Sequence, residues 1–389
     1  MGVSKKSIRA NRHQLDGSLK KSGVNLWRFV FNGIESTTGL ERKFFIELSM
    51  VNPGLSPLEP VLGFKTRVKI SPEDLQNVLA GTASAQKIQS EALVAPSYVV
   101  VRAGVLGAGA KQLCSYHASK DVAISAKDFE IEAGRCFFSR DKLIGVISCS
   151  QNDLSVHPEY LCDAGTVSWE LRYEIQYDFP KGYCGRDRTW LATGARTVFS
   201  GTVKIDGKEY RVVPKKSFGY IDRNWGRTFP ESWVHFSSSC LTSLISGMTL
   251  MHSNFAVQGV YDGRVSVLSD FEGKPVLLAA DAPKRAFETI WDCVQMPADQ
   301  DGEKLHWSVS ATNKSVVVDV DVFCPTNQLY VRSWELPEGG RRILKILCGG
   351  GGSGEIRIYR RIKRQLELLE HAHIANALCE FGQIEVPEQ

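Results

Sequence analysis

Between positions 218 and 239 the chain reads FGYIDRNWGRTFPESWVHFSSS, the stretch that gathers the most residue types able to do chemistry. Tyr220, Trp225 and Trp233 surround a compact polar group, Asp222-Arg223-Asn224, with Gly226 and Pro230 setting sharp backbone changes between them. Two tryptophans eight positions apart do not suit an ordinary surface loop. Asn and Asp side chains bond back to their own backbone, and Gly takes φ values that other residues avoid. The polar group is then held locally while the indole rings face an apolar interior. Two uses fit: a structural plug closing one end of a β-barrel, or the wall of a ligand cavity or active site.

The surrounding elements read as short strands. Over 168–179, Trp169, Leu171, Tyr173, Ile175, Tyr177 and Phe179 fall on one face and polar residues on the other, a period of two that a helix would smear around its axis. Segments 202–205 and 209–212 flank Asp206-Gly207, a type I′ hairpin signal, and Asp262-Gly263 repeats it. Alternating valines from Val316 to Val322 mark a further strand. One short helix is predicted from Ser71 to about Gly81, with Ser71 as N-cap, Pro72 at the first helical position and Glu73 and Asp74 in the first turn. The glycine run at 349–354 reads as a flexible hairpin loop, because neither a helix start nor a Lys-Ser/Thr pair follows it. Turn signals at short, regular spacing imply an all-β protein, and 389 residues are enough for two domains. The expectation is a flexible basic arm at 1–22, an N-terminal barrel over 23–196 and a C-terminal barrel over 197–389 that carries the central stretch.

Composition excludes several classes. A net charge of +4 is small for this length and implies no field for a polyanion. Arg357, Arg360, Arg361, Lys363 and Arg364 are followed by Glu367 and Glu370, so this tract reads as an outer face and not as a nucleic-acid surface. Together with the N-terminal Lys/Arg arm it suits, at most, weak contact with an anionic membrane surface. No apolar leader and no run of about 18 apolar residues is present, so a cytoplasmic location is expected. Ten scattered cysteines without a Cys-x-x-Cys pair read as buried free thiols. Cys114 with His117, and His371 with His373, lack a second half at zinc spacing; no metal and no cofactor is expected.

The central stretch resembles the signature of tocopherol cyclases: an acid before Asn-Trp-Gly, then Phe-Pro, then a Trp-rich strand. The matching residues are Asp222, Asn224, Trp225, Gly226, Phe229, Pro230 and Trp233, and related patterns occur in carotenoid hydratases. The resemblance extends weakly to FFIELSMVNPGLSPLEPVLG and LCEFGQIE. It departs after Phe-Pro, where His235, Ser237 and Ser239 replace an aromatic, a Gln and an Asn. The resemblance implies two lipocalin-like barrels and a hydrophobic small-molecule substrate, a prenyl quinol or related isoprenoid. In such a cyclase an acid protonates an alkene and a phenol oxygen captures the tertiary cation. That needs a neutral carboxyl in a dry site, aromatic faces near the cation and an apolar cavity. On this reading Asp222 is the candidate acid, and Tyr220, Asn224, Trp225, Phe229 and Trp233 surround the ligand. His235 orients a hydroxyl or shuttles a proton, and Tyr261 adds a hydrogen bond. The alternative is a non-catalytic carrier or sensor of a hydrophobic ligand, with Asp222 a buried structural carboxylate.

Overall fold

The computed structural model describes residues 3–55, 58–62, 71–85, 95–230, 232–261, 263–281, 287–340 and 342–385. Two large antiparallel sheets carry almost all of it. The first has 13 strands, from Val24–Glu35 to Gly219–Gly226; the second has 11, from Ser232–Ser238 to Gln365–Glu385. Each sheet curls on itself. Lys111–His117 lies against Lys142–Cys149 in the first, and Arg264–Phe271 approaches Glu288–Asp299 in the second. The chain is all-β, built as two barrels.

Strand alternation explains how two barrels share one interface. In Val24–Glu35, Trp27, Phe29 and Phe31 enter the first barrel, where they meet Phe44, Leu48, Trp169 and Leu171. The intervening Val30 points the other way, into a second apolar cluster with Tyr98, Trp190, Trp233 and Leu344 that joins the barrels. A third cluster, with Phe236, Val257, Trp307 and Ile356, fills the second barrel. Both faces of the interface strands are therefore covered, which is why these strands read as nearly continuous apolar runs rather than alternating ones.

The hairpin at Asp206-Gly207 has both residues at positive φ, 47° and 82°, as a type I′ turn requires. The second hairpin joins Asn254–Tyr261 to Arg264–Phe271, with Asp262 outside the described residues. Ser71 caps the helix Pro72–Leu79 with a reciprocal Ser71–Asp74 capping box. Two further short helices, Lys5–Ala10 and Gln151–Val156, accompany it.

Three expectations are corrected. The division at 196–197 falls inside the strand Arg188–Ile205; the first sheet continues through Gly226 and the second begins at Ser232. The basic arm is not free: Ser4 and Ser7 bond to Asp178, Leu15 is buried in the first barrel, and the Asn11 carbonyl accepts from the Trp27 and Arg223 side chains. These anchors are mostly single main-chain or hydroxyl groups, invisible to composition. The glycine run lies within the 20-residue strand Ile343–Ile362. It is glycine because neighbours come close: a Cβ on Gly352 would stand 2.4 Å from Cys379 Sγ, and one on Gly354 1.9 Å from the Asp321 carbonyl oxygen.

Candidate functional site

Strand register brings two rows of polar residues face to face between the barrels. On the first sheet, Asp222, Arg28, Glu47 and Arg102 are successive cross-strand partners. On the second, Gln258, His235, Glu380 and Cys348 are. All except Arg102, at 3%, are no more than 1% exposed.

The rows meet through Arg28. Its Nε and Nη2 donate to Asp222 Oδ1 and Oδ2 at 3.1 and 2.5 Å, and its Nη1 donates to Glu380 Oε2 at 2.5 Å. Asp222 Oδ2 also accepts from Trp190 Nε1 and Tyr220 Oη, each at 3.1 Å. Glu380 Oε2 accepts from Trp233 Nε1 at 2.9 Å. The guanidinium lies 6.0 Å from the Tyr220 ring centre and 5.9 Å from that of Trp233. Alongside, Arg332 binds Glu47 with two bonds of 3.0 and 2.6 Å and Gln112 with one of 2.8 Å.

Charge balance within the Arg28 group matters chemically. One guanidinium serves two carboxylates, and the neighbouring Arg332, bonded to Glu47, also acts on Glu380. Burial lifts the Asp222 carboxyl above its ordinary range, and the Glu380 charge adds to this against the opposing pull of Arg28 and the Trp190 N–H. Burial, with the Asp222 charge beside it, raises the Tyr220 hydroxyl far above its usual value, so Tyr220 stays neutral. His235 is held neutral by burial and by Arg28.

The predicted residues divide between two faces. Tyr220, Asp222, Asn224, Phe229, Trp233 and His235 come together at the interface. Asn224 Oδ1 accepts from Gln258 Nε2 at 3.1 Å, Phe229 packs on Trp233, and His235 Nε2 lies 3.1 Å from Ser237 Oγ and its ring 5.2 Å from that of Tyr220. Trp225 is separated from them. As an odd-numbered neighbour of Asp222 and Asn224 it faces the other way, into a polar crevice with Asp16, Arg186 and Asp187. A shared wall of Trp225 and Trp233 is thus ruled out by strand parity. Tyr261 ends its strand, and its side chain lies outside the described residues.

A crevice of about 400 Å³ opens beside this cluster, within the usual size of a small-molecule site. Phe218 and Ser217 wall it from the first barrel, and Ser239, Leu250 and Met251 from the second. Phe218 stands just before the strand Gly219–Gly226 with a positive φ of 40°, so it does not continue that strand's alternation, and Ser239 follows the end of the strand Ser232–Ser238. Tyr220, Asp222, His235 and Ser237 are buried and do not line this crevice. Among the described residues no group of three or more His, Cys, Asp or Glu side chains could hold a metal ion.

No family model matches the chain, and no curated protein does. Among solved structures it is similar to kievitone hydratase from Nectria haematococca, at 11% identity and a TM-score of 0.44 over 98% of this chain and 96% of that one. A putative AttH from Nitrosomonas europaea gives 10% and 0.40 over 92% of each chain. CghA with Sch210972 gives 12% and 0.41 over 95% of this chain and 90% of that one. At these identities and scores, the likeness to tocopherol cyclases rests on the motif residues alone.

Arg28, Trp190 and Glu380 complete the site and were not predicted from the sequence. A signal existed. Arg28, Glu47, Arg102 and Glu380 are each a single charge inside an apolar strand run: WRFVF, FIELS, VVRAG and LCEFG. A charge in such a run, with both strand faces covered, must find a partner.

Proposed function

We propose that the chain is an enzyme that protonates an alkene in a hydrophobic isoprenoid, as in the cyclisation of a prenylated quinol, at the buried carboxyl pair between its barrels. The observation that carries this reading is one guanidinium shared by two carboxylates no more than 1% exposed, with burial raising the Asp222 carboxyl above its ordinary range so that it can hold a proton in a dry site. The ligand occupies the crevice bounded by Phe218 and Leu250. Asp222 supplies the proton through Tyr220, whose oxygen lies 3.1 Å from Asp222 Oδ2; Tyr220 takes the carboxyl proton as it gives up its own. Once Asp222 is ionised, the quinol oxygen closes on the tertiary cation and its released proton returns to the carboxylate.

The carrier reading keeps one specific support. Arg28 occupies the space between the Tyr220 and Trp233 rings, where a cyclase would hold its carbocation. Asp222→Asn separates the two. An enzyme loses turnover of a prenylated quinol by about 10²-fold or more, while saturable binding persists. A carrier binds the quinol equally in both proteins and converts it in neither.

A further inference from the structure

We propose that one end of the second barrel docks on an anionic lipid bilayer. Eight of the twenty-two exposed large apolar side chains among the described residues fall in two segments of eight residues each. One is the 244–251 loop, with Leu244, Ile245, Met248 and Met251 exposed; the other is the 362–369 hairpin end, with Ile362, Leu366, Leu368 and Leu369 exposed. The fold sets them side by side. The Leu244 N–H donates to the His371 carbonyl at 2.7 Å, and Ser243 Oγ donates to Glu370 Oε1 at 2.7 Å. A loop that keeps four large apolar residues in water beside a second such segment forms a patch of the kind that marks an interaction surface.

Charge selects the partner. Exposed Arg360, Arg361, Lys363 and Arg364 sit at the same hairpin end, opposed within 360–369 only by Glu367, which pairs with Arg360 at 2.7 Å. A second copy of the chain meeting this patch about a two-fold axis would oppose four cations with four cations. An anionic bilayer offers the complement: negative headgroups for the basic hairpin and an acyl boundary for the apolar tips. Leu250, buried on the inner side of the same loop, walls the crevice between the barrels with Met251 at its rim, so a docked protein presents that crevice beside the lipid. Bilayer binding stands whether the crevice is catalytic or not.

The test is co-sedimentation of the full chain with vesicles of phosphatidylcholine alone or with phosphatidylglycerol. Wild type should bind the phosphatidylglycerol vesicles, release at high salt and leave pure phosphatidylcholine largely unbound. Lys363→Ala/Arg364→Ala should weaken binding by about 30-fold, at about 5-fold per cation, and Ile245→Glu/Met248→Glu by at least as much. All four positions are exposed, and circular dichroism identical to wild type confirms the fold. Wild-type protein indifferent to both vesicles, or variants that bind like wild type, would overturn the proposal. So would a wild-type dimer in the absence of lipid that Ile245→Glu/Met248→Glu converts to a monomer without changing vesicle binding.

Discussion

Replacing Arg28 by Met probes the interface most sharply. The side chain is fully buried and makes three hydrogen bonds to two carboxylates. Met keeps much of the volume and removes the charge. Asp222 is then left with Trp190 and Tyr220, and Glu380 with the Trp233 N–H and the weak Cys348 thiol. Breaking one buried pair costs about 3–5 kcal/mol. Here two carboxylates lose one cation, so the upper end applies, about 5 kcal/mol at pH 8, a large part of the ordinary stability of a folded domain. Lowering the pH to about 5 should return part of the loss, because Asp222, already raised by burial, takes up a proton once its cation is gone and so removes buried charge. The triple variant Arg28→Met/Asp222→Asn/Glu380→Gln should be more stable than the single variant by about 2 kcal/mol or more, since no unpaired charge remains. Urea unfolding followed by tryptophan fluorescence and circular dichroism gives both numbers. An Arg28→Met protein within about 1 kcal/mol of wild type at pH 8, or a triple variant no better than the single, would refute the reasoning.

Two further outcomes are expected. Burial alone would raise the Glu47 carboxyl, but the Arg332 charge and its two bonds outweigh that and hold it below its ordinary value near 4.5. A depressed carboxyl stabilises the fold above its unfolded pKa, and that stability is lost as pH falls through the folded value; Glu47→Gln/Arg332→Gln should therefore flatten the fall in urea midpoint measured from pH 5 to pH 3. In the glycine run, Gly354→Ala should cost about 1–3 kcal/mol by overpacking, because the new Cβ meets a backbone carbonyl at 1.9 Å, whereas at Gly351 it meets only the movable Gln328 amide at 2.4 Å. Gly351→Ala should melt close to wild type by scanning calorimetry.

The β class and the two-barrel plan are legible in the sequence because period-two alternation and turn chemistry are local signals, while the six candidate residues that meet at the interface are drawn from the residue types of the 218–239 stretch. The sequence conceals what long-range register supplies. Arg28 and Glu380 are 352 positions apart and meet only when the two sheets dock. Trp225 was grouped with Trp233 by aromatic character, yet one residue of parity sends it to the opposite face. The glycine run reads as a loop because glycine favours turns; the alternative, close approach of the Cys379 thiol and the Asp321 backbone to Gly352 and Gly354, is tertiary. The arm at 1–22 reads as flexible because its anchors are carbonyls and serines, which every sequence contains.

The transfer of a proton to carbon is the central claim, and solvent deuterium reads it directly. Asp222 and Tyr220 exchange their protons with D₂O, so a prenylated quinol cyclised in D₂O should carry one non-exchangeable deuterium, on the former alkene carbon next to the ring-closing carbon. Mass spectrometry and NMR of the product locate it. One deuterium at that carbon in wild type, with product formation about 10²-fold slower in Asp222→Asn, is the predicted result. A product without carbon-bound deuterium, or saturable binding that never yields product, would contradict it.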